Sequence, residues 1–174
     1  MFLTNWVSNY SCATPGCRAG LEGTWLMGER QVPQPEVTLC IRPEFGGQSR
    51  VEGSYPAGGP EFLAEVALSS RSRDFGAKKR LYERVGVLEY LIAAPGWQET
   101  SWFEWTASGY QPLEPGAGRI YRSRCFPGLW LDVEALWDLD LPGMNEVLQQ
   151  GLATPEHAAF VADLARRRLP AALR

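Results

Sequence analysis

Residues 61–68 read EFLAEVAL. In an extended chain successive side chains point to opposite faces, and here both faces are apolar: Phe62, Ala64, Val66 and Leu68 on one, Leu63 and Ala67 on the other. Such a strand belongs in the middle of a sheet that is covered on both sides. Glu65 sits at its centre and breaks the pattern. A carboxylate buried without a partner is costly, or takes up a proton. Position 65 therefore calls for a cation beside it: a lysine, an arginine or a metal ion.

The neighbouring sequence supplies the rest of a sheet and candidate partners. Pro33 and Pro35 interrupt the chain. Residues 36–42 then alternate, with Val37, Leu39 and Ile41 on one face and Glu36, Thr38 and Cys40 on the other, which predicts a strand opened by an acid. Residues 43–60, PEFGGQSRVEGSYPAGGP, are rich in glycine and proline and read as a loop. After residue 68 a helix is predicted over 73–85, with Ser70 or Ser72 as its cap and Gly86 at its end. On that helix Asp74, Lys78, Leu81, Tyr82 and Val85 share one face. A strand over 88–93 follows, then a hairpin-like region from Trp97 to Leu113 and a last strand near 119–125. Residues 21–28, LEGTWLMG, read as a further short strand. Helices are expected over 3–11, 132–138, 143–150 and from Pro155 to about Arg168, the last capped by Thr154. Strand runs interrupted by one packing helix indicate an α/β fold, a mixed sheet with helices on its faces.

The chain has 174 residues, suited to one domain spanning 1–174. Apolar residues make up 45% and charged residues 21%, which excludes a disordered chain. No apolar run approaches the ~18 residues needed to span a bilayer. The opening MFLTNWVSNY lacks the basic start and apolar core of a signal peptide. Cys12, Cys17, Cys40 and Cys125 form no CxxC pair, and with one histidine a structural zinc site would need all four thiolates. Reduced thiols packed as small hydrophobes in a cytoplasmic protein are expected instead. The net charge of −3 gives no global basic field. From Arg71 to Arg84, however, six basic residues face only Asp74 and Glu83, and the chain's two lysines, Lys78 and Lys79, both lie there.

Glu36 and Glu65 lie on successive long strands. Neighbouring strands are ~4.8 Å apart, so two such carboxylates can share a divalent ion. Oxygen donors of this kind suit Mg²⁺ (or Mn²⁺), with Lys78 orienting or deprotonating the attacking water and nearby arginines holding phosphates. The residues alone equally allow Asp74 and Lys78 to be an ordinary i,i+4 ion pair. Lys79 is expected to point to solvent, as the substitute amine. His157 reads as structural, Trp97, Trp102 and Trp105 as sheet packing or a dimer surface, and Arg166 to Arg168 as a solvated helix end.

Three stretches carry a resemblance: QPEVTLCIRPEFGGQSR, PEFLAEVALSS and SRDFGAKKRLYERVGVLEYLI. Their order resembles the motif series of the Uma-two type restriction endonuclease family, within the PD-(D/E)xK nuclease superfamily. The matching residues are Pro35-Glu36, Glu65-Val66, Ser69, Asp74, Lys78, Tyr82 and Gly86-Val87-Leu88-Glu89-Tyr90, and FPGLWLDVEALW (126–137) resembles the family's closing segment. The resemblance covers roughly 33–137 and leaves C-terminal helices over 143–170 outside it. It implies a restriction-endonuclease-like fold and a Mg²⁺-dependent endonuclease hydrolysing phosphodiester bonds in DNA. Glu36 and Glu65 would hold the metal and Lys78 would serve catalysis, with Asp74, Lys79 and Tyr82 as accessory residues and a homodimer to cut two strands. The usual lysine position, two residues after Glu65, is Ala67, so the lysine stands on the helix. Glu36 replaces the family's aspartate, and the added methylene displaces the carboxylate by roughly an ångström. A catalytically degenerate relative, acting as a binding or oligomerisation module, is therefore the alternative.

Overall fold

The computed structural model describes residues 2–28, 31–68 and 71–168. Helix α1 (Phe2–Ala13) buries Leu3, Trp6, Val7 and Tyr10, a stripe at helical spacing. The chain turns at Gly16, whose φ of +103° and contact with the Phe45 ring leave no room for a side chain. Strand β1 (Cys17–Leu21) then pairs antiparallel with β2 (Val37–Ile41). This corrects the strand expected over 21–28. Pairing stops at Leu21 because Glu22 turns left-handed (φ +45°), and the segment beyond makes only isolated bridges, Leu26 with Ala57 and Met27 with Gln31. Trp25 and Met27 are buried as lids on the sheet, so their apolar character signalled burial and not a ladder.

The segment expected to be only a loop holds a hairpin, β3 (Arg50–Glu52) with β4 (Tyr55–Ala57). Gly53 makes its two-residue turn possible with φ +61°. Strand β5 (Phe62–Val66) follows. The predicted helix runs as three continuous parts: α2 (Arg71–Arg73), a π-helical turn (Asp74–Lys78) and α3 (Lys79–Arg84). Gly86 ends it at φ +79°. Ser72 lies inside α2 and does not cap it; Ser70, and the motif residue Ser69, lie outside the described residues. Then come β6 (Glu89–Ala94), β7 (Glu99–Thr106) and β8 (Gly109–Leu113). The strand expected near 119–125 shrinks to β9 (Ile120–Arg122), which pairs with β10 (Trp130–Asp132). Its continuation leaves the ladder because the N–H groups of Arg124 and Cys125 donate to Glu89 instead. Helices α4 (Val133–Trp137), α5 (Leu141–Leu152) and α6 (Pro155–Arg167) are capped by the side chains of Asp132, Asp140 and Thr154.

Among the described residues six strands form one sheet in the order β1-β2-β5-β6-β7-β8. Only the β5–β6 pair is parallel. A parallel neighbour needs a crossover, and the helix over residues 71–84 provides it. One face packs Val37, Leu39, Phe62, Ala64, Leu91 and Trp102 against α1 and the C-terminal helices. The other packs Cys40, Leu63, Tyr90, Ile92 and Phe103 against Tyr82 and Leu81 of α3. This is the mixed sheet flanked by helices that the sequence predicts.

Trp102 is core, edge-on to Trp6 and Phe62 at 6.0 and 5.4 Å, whereas Trp97 and Trp105 are exposed. His157 is structural: Nδ1 donates to the Leu152 carbonyl (2.9 Å), leaving Nε2 to accept from Thr14 (3.0 Å). Cys17 and Cys40 lie on opposite faces of the sheet, so the four free thiols do not converge. Among the described residues no helix is long and apolar enough to cross a membrane.

Candidate active site

Val37 stands opposite Ala64 in the β2–β5 ladder, so one further step places Glu36 opposite Glu65 on the same face. That is the face on which α3 packs. Glu65 is only 2% exposed. Its Oε1 receives two donors, the Tyr82 hydroxyl at 2.7 Å and Lys78 Nζ at 3.0 Å. The same ammonium lies 3.0 Å from Asp74 Oδ1. Asp74 is held from behind by Tyr90, whose hydroxyl donates to its carbonyl at 3.2 Å. The Glu36 carboxylate is half-buried and accepts from the backbone N–H of Val66.

The π turn explains how one helix supplies three of these groups. At 3.6 residues per α-helical turn, side chains spaced by four drift around the axis. The wider i→i+5 turn drifts the opposite way. A π turn over Asp74–Lys78 followed by α-helix over Lys79–Arg84 therefore keeps Asp74, Lys78 and Tyr82 in line toward β5.

The electrostatics follow from burial and proximity. Burial raises the Glu65 pKa, with Tyr82 and Lys78 opposing the rise. Burial, and after it the Glu65 charge, raises that of Glu36. Burial pulls the Lys78 amine down, but Glu65 and Asp74 outweigh it and the net shift is upward. Burial pushes the Tyr82 phenol up, so it stays a donor. Two neighbouring acids that resist ionisation are what a divalent cation would relieve. Among the described residues no three acidic, histidine or cysteine side chains converge into a closed cage. The donor set still fits Mg²⁺, which is often held by one or two carboxylates together with water and substrate phosphate.

The structure thus brings together Glu36, Glu65, Asp74, Lys78 and Tyr82. It leaves out Lys79, and it corrects that residue's expected solvent position. The Lys79 amine lies 3.5 Å from the centroid of the Phe103 ring, where burial lowers its pKa against the opposing pull of Glu83. One step along a helix turns a side chain by about 100°, away from Glu65. Sequence reasoning missed the Tyr90 brace, the Val66 donor and an apolar cavity beside Glu36 whose walls include Phe2 and Trp137. The only sequence signal for the π turn was Gly76, a glycine inside a helix.

A family model described as "Putative restriction endonuclease" matches residues 1–134. No curated protein matches the chain. Among solved structures, "a putative nuclease belonging to DUF820" from Anabaena variabilis ATCC 29413 is similar with a TM-score of 0.59 at 17% identity. That match covers 78% of this chain and 76% of the other, and at this identity the likeness is one of fold. The family match begins at residue 1, so α1 and β1 are part of the shared pattern, beyond the 33–137 that the motifs span. From α1 to the start of α4 the chain follows one family's model, and it belongs to that family, Uma2, described as "Putative restriction endonuclease".

Proposed function

We propose that the protein is a nuclease that uses a divalent ion, Mg²⁺ or Mn²⁺, to hydrolyse phosphodiester bonds in DNA. The observation that carries this reading is the Glu65 carboxylate: buried on a central strand, opposite Glu36, with one oxygen held by Lys78 and Tyr82. Glu36 and Glu65 would hold the ion. The ion supplies activation of water and stabilisation of charge developing on the phosphate. Tyr82 fixes Oε1 of Glu65 and so sets the direction of the other oxygen. Lys78 orients the attacking water through Nζ, and Asp74 keeps that amine in place. Arg73, Arg80 and Arg84, exposed on the same helix, hold neighbouring phosphates. Two protomers would cut two strands, and four free thiols suit the reducing cytoplasm.

The test is plasmid nicking in Mg²⁺ or Mn²⁺ by the wild type, Glu65→Gln and Lys78→Ala. Glu65→Gln is expected to abolish nicking. Lys78→Ala is expected to slow it by about 10²- to 10⁴-fold, the usual worth of a positioned proton-handling group. Equal activity in all three proteins sinks the reading. Calorimetry supplies a second arm: absence of binding at millimolar Mg²⁺ and Mn²⁺ would favour a non-catalytic binding module. If Glu36→Asp then creates activity in an inert protein, the natural chain is a degenerate enzyme.

A further inference from the structure

Beside Glu36 the end of the sheet opens into a cavity of about 310 Å³. Its walls come from five separate parts of the chain, among them Phe2 at the start of α1, Val66 at the end of β5, Gln98 between β6 and β7, and Leu136, Trp137 and Leu139 at and just past the end of α4. The lining is largely apolar, and nothing in the proposed chemistry at Glu65 and Lys78 uses it. Two further features set it apart from an ordinary packing gap. Leu139 at its rim is 66% exposed. Leu139 and Gln98, which both line it, have left-handed backbone at φ +57° and +46°. A large apolar side chain kept in water and non-glycine residues at positive φ are unfavourable for folding alone, and such features concentrate where a ligand binds.

We propose that this cavity receives a single unpaired nucleobase of the substrate strand. The proposal rests on the nuclease reading and narrows its substrate to DNA in which a base is extruded or unpaired at the cleavage site. Glu36 belongs to both places: it lines the cavity and stands opposite Glu65. The cavity opens on the α1 side of the sheet and Glu65 faces the α3 side, so Glu36, at the start of β2, is the residue past which a nucleoside would reach the cavity mouth from a phosphate bound at the two acids. Aromatic and aliphatic walls suit the flat face of a base and exclude hydrated ions and phosphate. Gln98 and Thr4 line the same space and offer polar groups for a base edge. A base stacked and paired in a duplex cannot enter an enclosure walled on several sides, so it must leave the helix first.

The test begins without metal and without cleavage. The full chain is mixed with millimolar deoxyadenosine or with deoxyribose, and saturation transfer is read on the ligand protons. Transfer to the base protons of deoxyadenosine and none to deoxyribose is expected, with at least a tenfold loss in Leu139→Glu. The second arm uses Mg²⁺ or Mn²⁺ and two labelled duplexes, one fully paired and one with a single unpaired base. Cleavage next to the unpaired base is expected to exceed cleavage of the paired duplex at least tenfold. No base-dependent transfer in the wild-type chain overturns the proposal, whatever the cleavage result. Equal cutting of both duplexes overturns it too. Base-dependent transfer that Leu139→Glu removes, with no cutting of either duplex, supports the pocket and tells against the nuclease reading alone.

Discussion

The Glu65 carboxylate has one oxygen committed to two donors, and each donor can be removed separately. Tyr82→Phe deletes the 2.7 Å bond. The hydroxyl, together with Lys78, holds the Glu65 pKa down against burial, so its loss leaves the acid harder to ionise. Bonds to charged groups are worth about 1.5–3 kcal/mol, and a loss in that range is expected in urea denaturation. The thiols give a second prediction. Burial, then the Glu61 charge, pushes Cys17 and Cys40 up to about 12, whereas Cys12 is exposed. At pH 8 a thiol reagent should label Cys12 in the native protein and reach Cys17 and Cys40 only on unfolding. Because these two pKa values rise on folding from 9.0, they contribute stability that is fully present below pH 9.0. The contribution is lost as pH rises toward about 12, so the urea midpoint should fall across that window. At this scale the sequence was informative where the signal was local. Glu65 stood out because its neighbours are apolar, and the placement of Asp74, Lys78 and Tyr82 followed from their spacing. Lys79 was misread because the ring it covers, Phe103, is remote in sequence and leaves no local trace.

The crossover helix carries the main consequence among the elements. Its π turn brings Asp74 and Lys78 into line with Tyr82. Deleting Ala77 should collapse that turn to ordinary α-helix and swing Lys78 by about 100° relative to the rest of α3. Circular dichroism is expected to stay native-like while nicking falls to the level of Lys78→Ala. Retention of wild-type nicking would mean that the turn does not set the lysine. The helix was legible from its apolar face and from Gly86, but the π turn was not, because helical periodicity over a dozen residues averages across one wide turn. The misplacement of the first strand has a related cause. Trp25, Leu26 and Met27 are more apolar than Cys17–Leu21, yet the latter pair with β2. Gly20 permits that pairing by lying where a side chain would strike Thr38 Oγ1 at 2.5 Å. Apolar character reports what is buried, and the hydrogen-bond ladder is settled by what fits.

Across the molecule one acid gathers four hydrogen bonds from the sheet and the segment that follows β8. Glu89 is fully buried and accepts from Trp102 Nε1 (3.2 Å), Ser123 Oγ (2.7 Å), and the N–H groups of Arg124 (2.5 Å) and Cys125 (2.9 Å). Burial pushes its pKa up, and these donors oppose the rise. Glu89→Gln replaces one acceptor oxygen with a donor that faces donors, and about 2–4 kcal/mol of stability should be lost. Tryptophan fluorescence against urea would measure it, and a change under 1 kcal/mol would show that the clamp is dispensable. The sequence marked Glu89 only as a motif letter, because all but one of its partners lie beyond β8. The parallel step from β5 to β6 was implied by a helix between two strands, but the sheet order that places β1 at one edge and β8 at the other was not. That order depends on which apolar faces meet, and periodicity does not encode it.

The lysine that faces Glu65 travels on the segment linking two parallel neighbours, and that link closes only once β6 lies beside β5. On the proposed reading, a chain still emerging from the ribosome, or one whose linking helix has been peeled back by heat, keeps its acids and its amine apart. Cutting power then arrives with the last stage of assembly, which spares the host genome stray breaks from half-made protein.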